Sequence, residues 1–220
     1  MNKIRQFGEK VEGYTIPVLN EREIRASAGI LFLLVFISIM LAIFKGNFIM
    51  LKYFVIGFLL DFIIRIFINP KFSPTLILGR LIVRRQVPEY VGAVQKKFAW
   101  VIGLALALIM LVLVVIVNSY SVITGLICLI CMIFLFFESA FGICLGCYTY
   151  GWIYRKKAQY CPGEVCEVKD RQDIQKTSFI QILIVFGFIA YIIASVYMFN
   201  DFFSETPSDL WEIIRNARVS

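Results

Sequence analysis

All six cysteines of the chain fall between positions 128 and 166, less than a fifth of its 220 residues. They form three pairs: Cys128-Leu129-Ile130-Cys131, Cys144-Leu145-Gly146-Cys147 and Cys161-Pro162-Gly163-Glu164-Val165-Cys166. In a Cys-x-x-Cys one thiolate attacks a disulfide or sulfur donor and its neighbour resolves the intermediate, so the second and third pairs suit thiol–disulfide exchange or sulfur transfer without a cofactor. The same four residues, Cys144, Cys147, Cys161 and Cys166, also have the spacing of a four-thiolate zinc site, with thirteen residues between the pairs. Both readings stay open, one catalytic and one structural. Cys128 and Cys131 stand among Leu, Ile and Met, where free cysteine behaves as a small hydrophobe, and are expected to be helix packing. The chain has no histidine. Histidine-ligated haem, histidine-containing metal sites and histidine acid–base catalysis are therefore excluded.

The elements that carry these residues belong in a bilayer. Hydrophobic residues make up 60% of the chain and charged residues 17%, well away from the balance of a water-soluble domain. The chain reads as an all-α, polytopic helical membrane protein with about five spans, at 26–44, 48–68, 98–117, 122–147 and 177–199, each close to the ~20 residues that cross a hydrocarbon core. Four of them form a core over 26–154, whose second and third spans are joined by a basic connection at 69–97. A segment at 1–25 precedes this core, a cysteine-containing loop at 155–176 follows it, and 177–220 holds the fifth span and an acidic tail. The long charged lead, with no small-residue cleavage site behind it, argues against a cleaved signal peptide.

Basic residues orient the spans. Five precede the first span, six lie between the second and third, and six between the fourth and fifth, while the intervening turns hold only Lys45, with Lys52 placed to snorkel toward it. By the positive-inside rule the N-terminus is cytoplasmic, the C-terminus is external, and Cys144, Cys147, Cys161 and Cys166 face the cytoplasm. Orientation thus accounts for the net charge of +7 without a nucleic-acid partner.

Besides Lys52, three charged residues interrupt the spans. Asp61 and Arg65, four residues apart, share a helix face and can pair. Glu138 in the fourth span needs a partner, since a lone carboxylate there costs about 2.5 kcal/mol or more. The expectation is a polar cluster in which Arg65 sits between Asp61 and Glu138 just above Cys144. Glu138 and Cys144 lie on different faces of an ideal helix, but a bend at Gly142 or Gly146 can bring Cys144 back and make Glu138 a proton relay for the Cys144–Cys147 pair. Between Ser73-Pro74 and Val87-Pro88 a short helix is expected at the interface. Its Arg80, next to Gly79, is the candidate to bind an anionic substrate, against a plainer role in contacting lipid headgroups.

The phrases Pro17-Val18-Leu19-Asn20-Glu21-Arg22, Asn69-Pro70-Lys71-Phe72-Ser73-Pro74, Leu78-Gly79-Arg80 and Phe141-Gly142-Ile143-Cys144-Leu145-Gly146-Cys147 resemble the bacterial membrane family catalogued as domain of unknown function 4395. The likeness runs from about residue 14 to about residue 166. It implies a bacterial cytoplasmic membrane and, through the associations of family members, a thioredoxin-like or rhodanese-like cytoplasmic partner. Two further functions stay open beside thiol chemistry: a transporter or channel for a small anionic or sulfur-containing solute, and a membrane scaffold with structural zinc.

Overall fold

The structure, a computed structural model, describes residues 7–12, 14, 16–147, 149 and 177–217. The whole cysteine-containing loop at 155–176, with Cys161 and Cys166, lies outside the described residues.

The described chain is helical throughout, apart from four strands of two or three residues. Strand β1 (Val18–Asn20) leads into α1 (Glu21–Lys45), which begins where the Asn20 side chain accepts the Arg22 N–H. Gly46 closes α1 in a left-handed conformation, φ 61°. Helix α2 (Ile49–Ile63) continues through a π-helical turn, Ile64–Ile68, and stops at Asn69-Pro70. Ser73 then caps α3 (Pro74–Val83) through its hydroxyl. Strand β2 (Tyr90–Gly92) precedes α4 (Ala93–Met110), which ends in a π-helical stretch, Leu111–Ile116. A short turn with β3 (Ser119–Tyr120) leads into α5 (Val122–Phe136), extended by the π turn Phe137–Phe141. Helix α6 (Phe179–Ser204) is followed by β4 (Ser208–Asp209) and the amphipathic α7 (Leu210–Ala217).

Four of these helices, Glu21–Lys45, Ala93–Ile116, Val122–Phe141 and Phe179–Ser204, are long and apolar enough to cross a membrane, and the protein is a multi-pass membrane protein. Helix α2 carries Lys52 and Asp61, with Arg65 in its π turn, and so is interrupted by charge, yet it connects the same two ends. Phe48, just before it, stacks on Tyr120 at the α4–α5 turn. Lys71, just after it, accepts the Gln181 amide at the opposite end, where α6 starts. Lys52 does not snorkel. It is buried, and its ammonium donates to the carbonyls of Phe203 and Glu205 at 3.3 and 2.9 Å, the favourable place for a cation at the end of α6.

The core falls into two clusters along the bundle. Ile24, Leu31, Phe58, Phe62, Trp100 and Leu135 belong to one, and Val55, Met110, Val114, Ile127, Cys128 and Phe203 to the other. Cys128 is thus packing, as its apolar surroundings imply, and Cys131 lies against the same cluster.

Helix α3 packs directly on the start of α1, with Leu76, Ile77, Gly79, Arg80 and Val83 buried. Gly79 makes this possible, because a Cβ there would stand 2.5 Å from the Glu23 carbonyl oxygen. The Gly79→Val protein is expected to lose about 1–3 kcal/mol, the usual effect of overpacking. Thermal unfolding in detergent measures this, and a midpoint equal to the parent's would show that α3 can dock elsewhere.

Candidate functional site

The strands, though brief, decide which helix ends meet. β1 pairs antiparallel with β2, Asn20 opposite Tyr90 and Val18 opposite Gly92, and each strand runs straight into a helix. The first turns of α1 and α4 are therefore held side by side. Glu21 comes from one and Lys96 from the other, and the Lys96 Nζ stands 2.8 Å from Glu21 Oε2. The π turn at the end of α5 brings in Glu138, whose Oε1 lies 2.7 Å from the same nitrogen. Lys96 and Glu21 are each 1% exposed and Glu138 14%. One ammonium thus bridges two carboxylates from two other helices in a largely buried site, open to solvent only at Glu138, with a net charge of −1 when all three are ionised.

The fourth span is shorter than its apolar run. Gly142 adopts φ +69°, which ends the helix at Phe141, and Arg25 donates to the Ala140 carbonyl beside it. Any side chain on Gly142 would be strained there and would press on the Arg25 guanidinium. Apolar composition continues to Tyr154 and masks this break; the signal for it was Gly142 itself. After three non-helical residues a helical turn resumes at 145–147. The Cys147 N–H donates to the Cys144 carbonyl at 2.9 Å and to Cys144 Sγ at 3.3 Å, so Cys144 caps the new turn with its sulfur. A Cβ on Gly146 would fall 2.5 Å from that of Ala99, so the turn seats on α4 three residues beyond Lys96.

The expected bend is present, and it puts Cys144 and Glu138 on the wall of one cavity of about 50 Å³, together with Cys131, Phe62 and Trp100. Both thiols feel the Lys96 charge. Cys144 is half-buried and Cys147 is 8% exposed. Cys144 foremost, and burial after it, push the Cys147 thiol well above the ordinary thiol range, while Lys96 pulls the other way. The cysteines described are all free thiols. Among the described residues no group of three or more Cys, Asp or Glu is placed to hold a metal ion; the four-thiolate alternative turns on Cys161 and Cys166, outside them.

Asp61 and Arg65 form the pair their spacing implies, Nε to Oδ2 at 2.7 Å, but the wider cluster is not the expected one. Arg65 does not reach between Asp61 and Glu138. It donates to Ser73 at 3.1 Å, to Ser27 at 2.6 Å and to Thr75, and stacks over Phe62 and Trp100. Asp61 accepts the hydroxyls of Ser73 and Thr75 and the Thr75 N–H. Hydroxyls from α1 and the start of α3 complete this network, and Glu138 finds Lys96 instead. Arg80 is buried and paired with Glu23 at 3.1 Å rather than presented to an arriving anion.

Glu21, Glu23 and Lys96 are the residues that reading the sequence passed over. Glu21 stands in the sequence only as part of the family phrase and Lys96 only as one of the six basic residues between the second and third spans. A signal for Lys96 existed, since it precedes Trp100, Leu104 and Ala107 on the buried stripe of α4.

The motif residues explain themselves in this geometry. Asn20 and Glu21 start α1 and hold Lys96, Asn69 and Ser73 cap the two turns after α2, and Gly142 and Gly146 shape the cysteine turn. Residues 19–155 match Domain of unknown function (DUF4395), a region that takes in the triad, the Asp61–Arg65 network, Cys144 and Cys147 but stops short of Cys161, Cys166 and α6. No curated protein and no solved structure matches the chain. With well over half its length inside that match, the protein belongs to the DUF4395 family.

Proposed function

We propose that the protein is a membrane thiol protein in which Cys144 and Cys147 exchange disulfides or pass sulfur, with Lys96 and Glu138 setting the charge at the pair. The observation that carries this reading is the seating of a Cys-x-x-Cys turn on α4 at Ala99, three residues beyond a buried ammonium that is itself held by two carboxylates. A thiolate forms next to a cation more readily than in apolar surroundings. Cys144, the more open of the two and the acceptor of an N–H, is the attacking sulfur. Cys147, kept as a thiol at neutral pH, resolves the mixed disulfide. In disulfide exchange the Cys144 thiolate attacks one sulfur of the substrate and releases the other as a thiolate. Cys147 then attacks Cys144, so the pair ends as a disulfide and the substrate as two thiols. Glu138 is the group that takes the proton from the attacking thiol and gives it up again.

The excess of basic residues beside this end of the spans supports a cytoplasmic side for the site, with the N-terminus there and the C-terminus outside, and the family likeness supports a bacterial cytoplasmic membrane. There a soluble thioredoxin-like or rhodanese-like protein is the partner, and Cys161 and Cys166 relay between it and the pair. Alkylation with iodoacetamide over a pH series tests the site. Cys144 is expected to react before Cys147. In Glu138→Gln the loss of a negative charge leaves more of the Lys96 charge facing the sulfurs, so the profile of the pair is expected to move to lower pH. The same profile in a folded Glu138→Gln protein would sink the assignment and leave Glu138 as an anchor for Lys96.

A further inference from the structure

The largest cavity described lies at the other end of the bundle. It is a groove of about 540 Å³ between α1, the start of α2 and α5, walled by Ile39, Ile43, Leu51, Leu129 and Met132. This is the size of a small-molecule site and far larger than the water-sized voids of packed interiors. No charged residue lines it. Its floor includes Gly125, a glycine inside a membrane helix whose added Cβ would meet nothing within 4 Å. Gly79 and Gly146 are explained by close contacts, but Gly125 is not. What it does is widen the groove. At the outer end Tyr120 stacks on Phe48 and marks the level of the membrane interface. There Lys45, exposed, stands three residues beyond the groove residue Ala42 and so on the same helix face.

We propose that this groove holds one acyl chain of an anionic phospholipid, with the lipid phosphate at Lys45. The wall matches an uncharged hydrocarbon chain along its length, and Lys45 at its mouth matches a phosphate. Cys128 lines the groove as packing, but the site is at the opposite end of the bundle from Cys144 and Cys147 and does not depend on the reading of their chemistry. Native mass spectrometry of the purified chain tests it, with dioleoyl-phosphatidylglycerol and dioleoyl-phosphatidylcholine as the added lipids.

The parent is expected to keep one phospholipid through delipidation and to prefer phosphatidylglycerol by about fivefold, the contribution of one juxtamembrane lysine. Lys45→Gln should lose that preference and keep the chain. Gly125→Phe should fill the groove and lose the retained lipid, with the thermal midpoint and Cys144 alkylation of the parent as the check on folding. Should Gly125→Phe not fold, Gly125→Leu fills less of the space and should lower retention in the same direction. Parent-level retention in a folded groove-filled variant would overturn the proposal. So would an isoprenoid or other uncharged chain retained in place of phospholipid.

Discussion

Replacing Lys96 by methionine is expected to cost about 3–5 kcal/mol, because it removes the cation and leaves two carboxylates buried without compensation. Glu21 is 1% exposed and Glu138 14%, both within 3 Å of the lost ammonium, so Glu21 cannot turn to water without unmaking the start of α1 and solvent relieves Glu138 only in part. The protein should accumulate poorly in the membrane, or melt well below the parent in detergent. The opposite change gives the opposite sign. Glu138→Gln takes the triad from a net charge of −1 to zero and leaves the Lys96–Glu21 pair intact, so it should be neutral or mildly stabilising. Adding Glu21→Gln and Glu138→Gln to Lys96→Met should recover most of the loss, since amides need hydrogen bonds but no counter-charge. Thermal midpoints of the four proteins decide it. A Lys96→Met protein as stable as the parent would mean that the acids are protonated and the triad is no ion pair.

How far these features could be read beforehand depends on the range of the interaction behind them. The spans rest on runs of apolar residues, and the turns on Gly46, Asn69-Pro70 and Ser121, all local signals that the structure reproduces to within a few residues. The Asp61–Arg65 pair follows from a spacing of four on one helix. Glu138 is different. Its need for a partner is legible, but the partner's identity depends on which helix starts adjoin, and a three-residue strand pair decides that. Strands of that length carry no periodicity to read. The partner of Arg80 is hidden for the same reason: Gly79 allows a close helix contact, but nothing in the sequence says that Glu23 is at the other side of it. The end of the fourth span was hidden because Phe141 to Tyr154 stays almost uncharged, and composition does not see a change of backbone hand at one glycine.

The Asp61→Leu protein is the other severe case, and its effect should travel. Removing Asp61 leaves the Arg65 guanidinium buried with three hydroxyls and no counter-charge, and strips the acceptor from the Ser73 hydroxyl and from both donors of Thr75. A loss of about 3–5 kcal/mol is expected from the charge alone. Asp61→Leu with Arg65→Leu should recover part of this, but less than full compensation, because Ser27, Ser73 and Thr75 keep hydroxyls that the pair had satisfied. A double-mutant cycle on thermal stability therefore separates the ion pair from the hydroxyl network around it. Arg65 also stacks over Trp100, 5.1 Å from its ring, and Trp100 lines the small cavity against which Cys144 sits. Loosening Arg65 frees one wall of that cavity. The double variant, with no buried charge to unfold it, should accordingly let alkylating reagents reach Cys147 faster than in the parent while Glu138 and Lys96 stay paired. If Cys147 remains as slow to react as before, the Asp61–Arg65 network fastens α2 and α3 to α1 and has no part in shielding the cysteine turn.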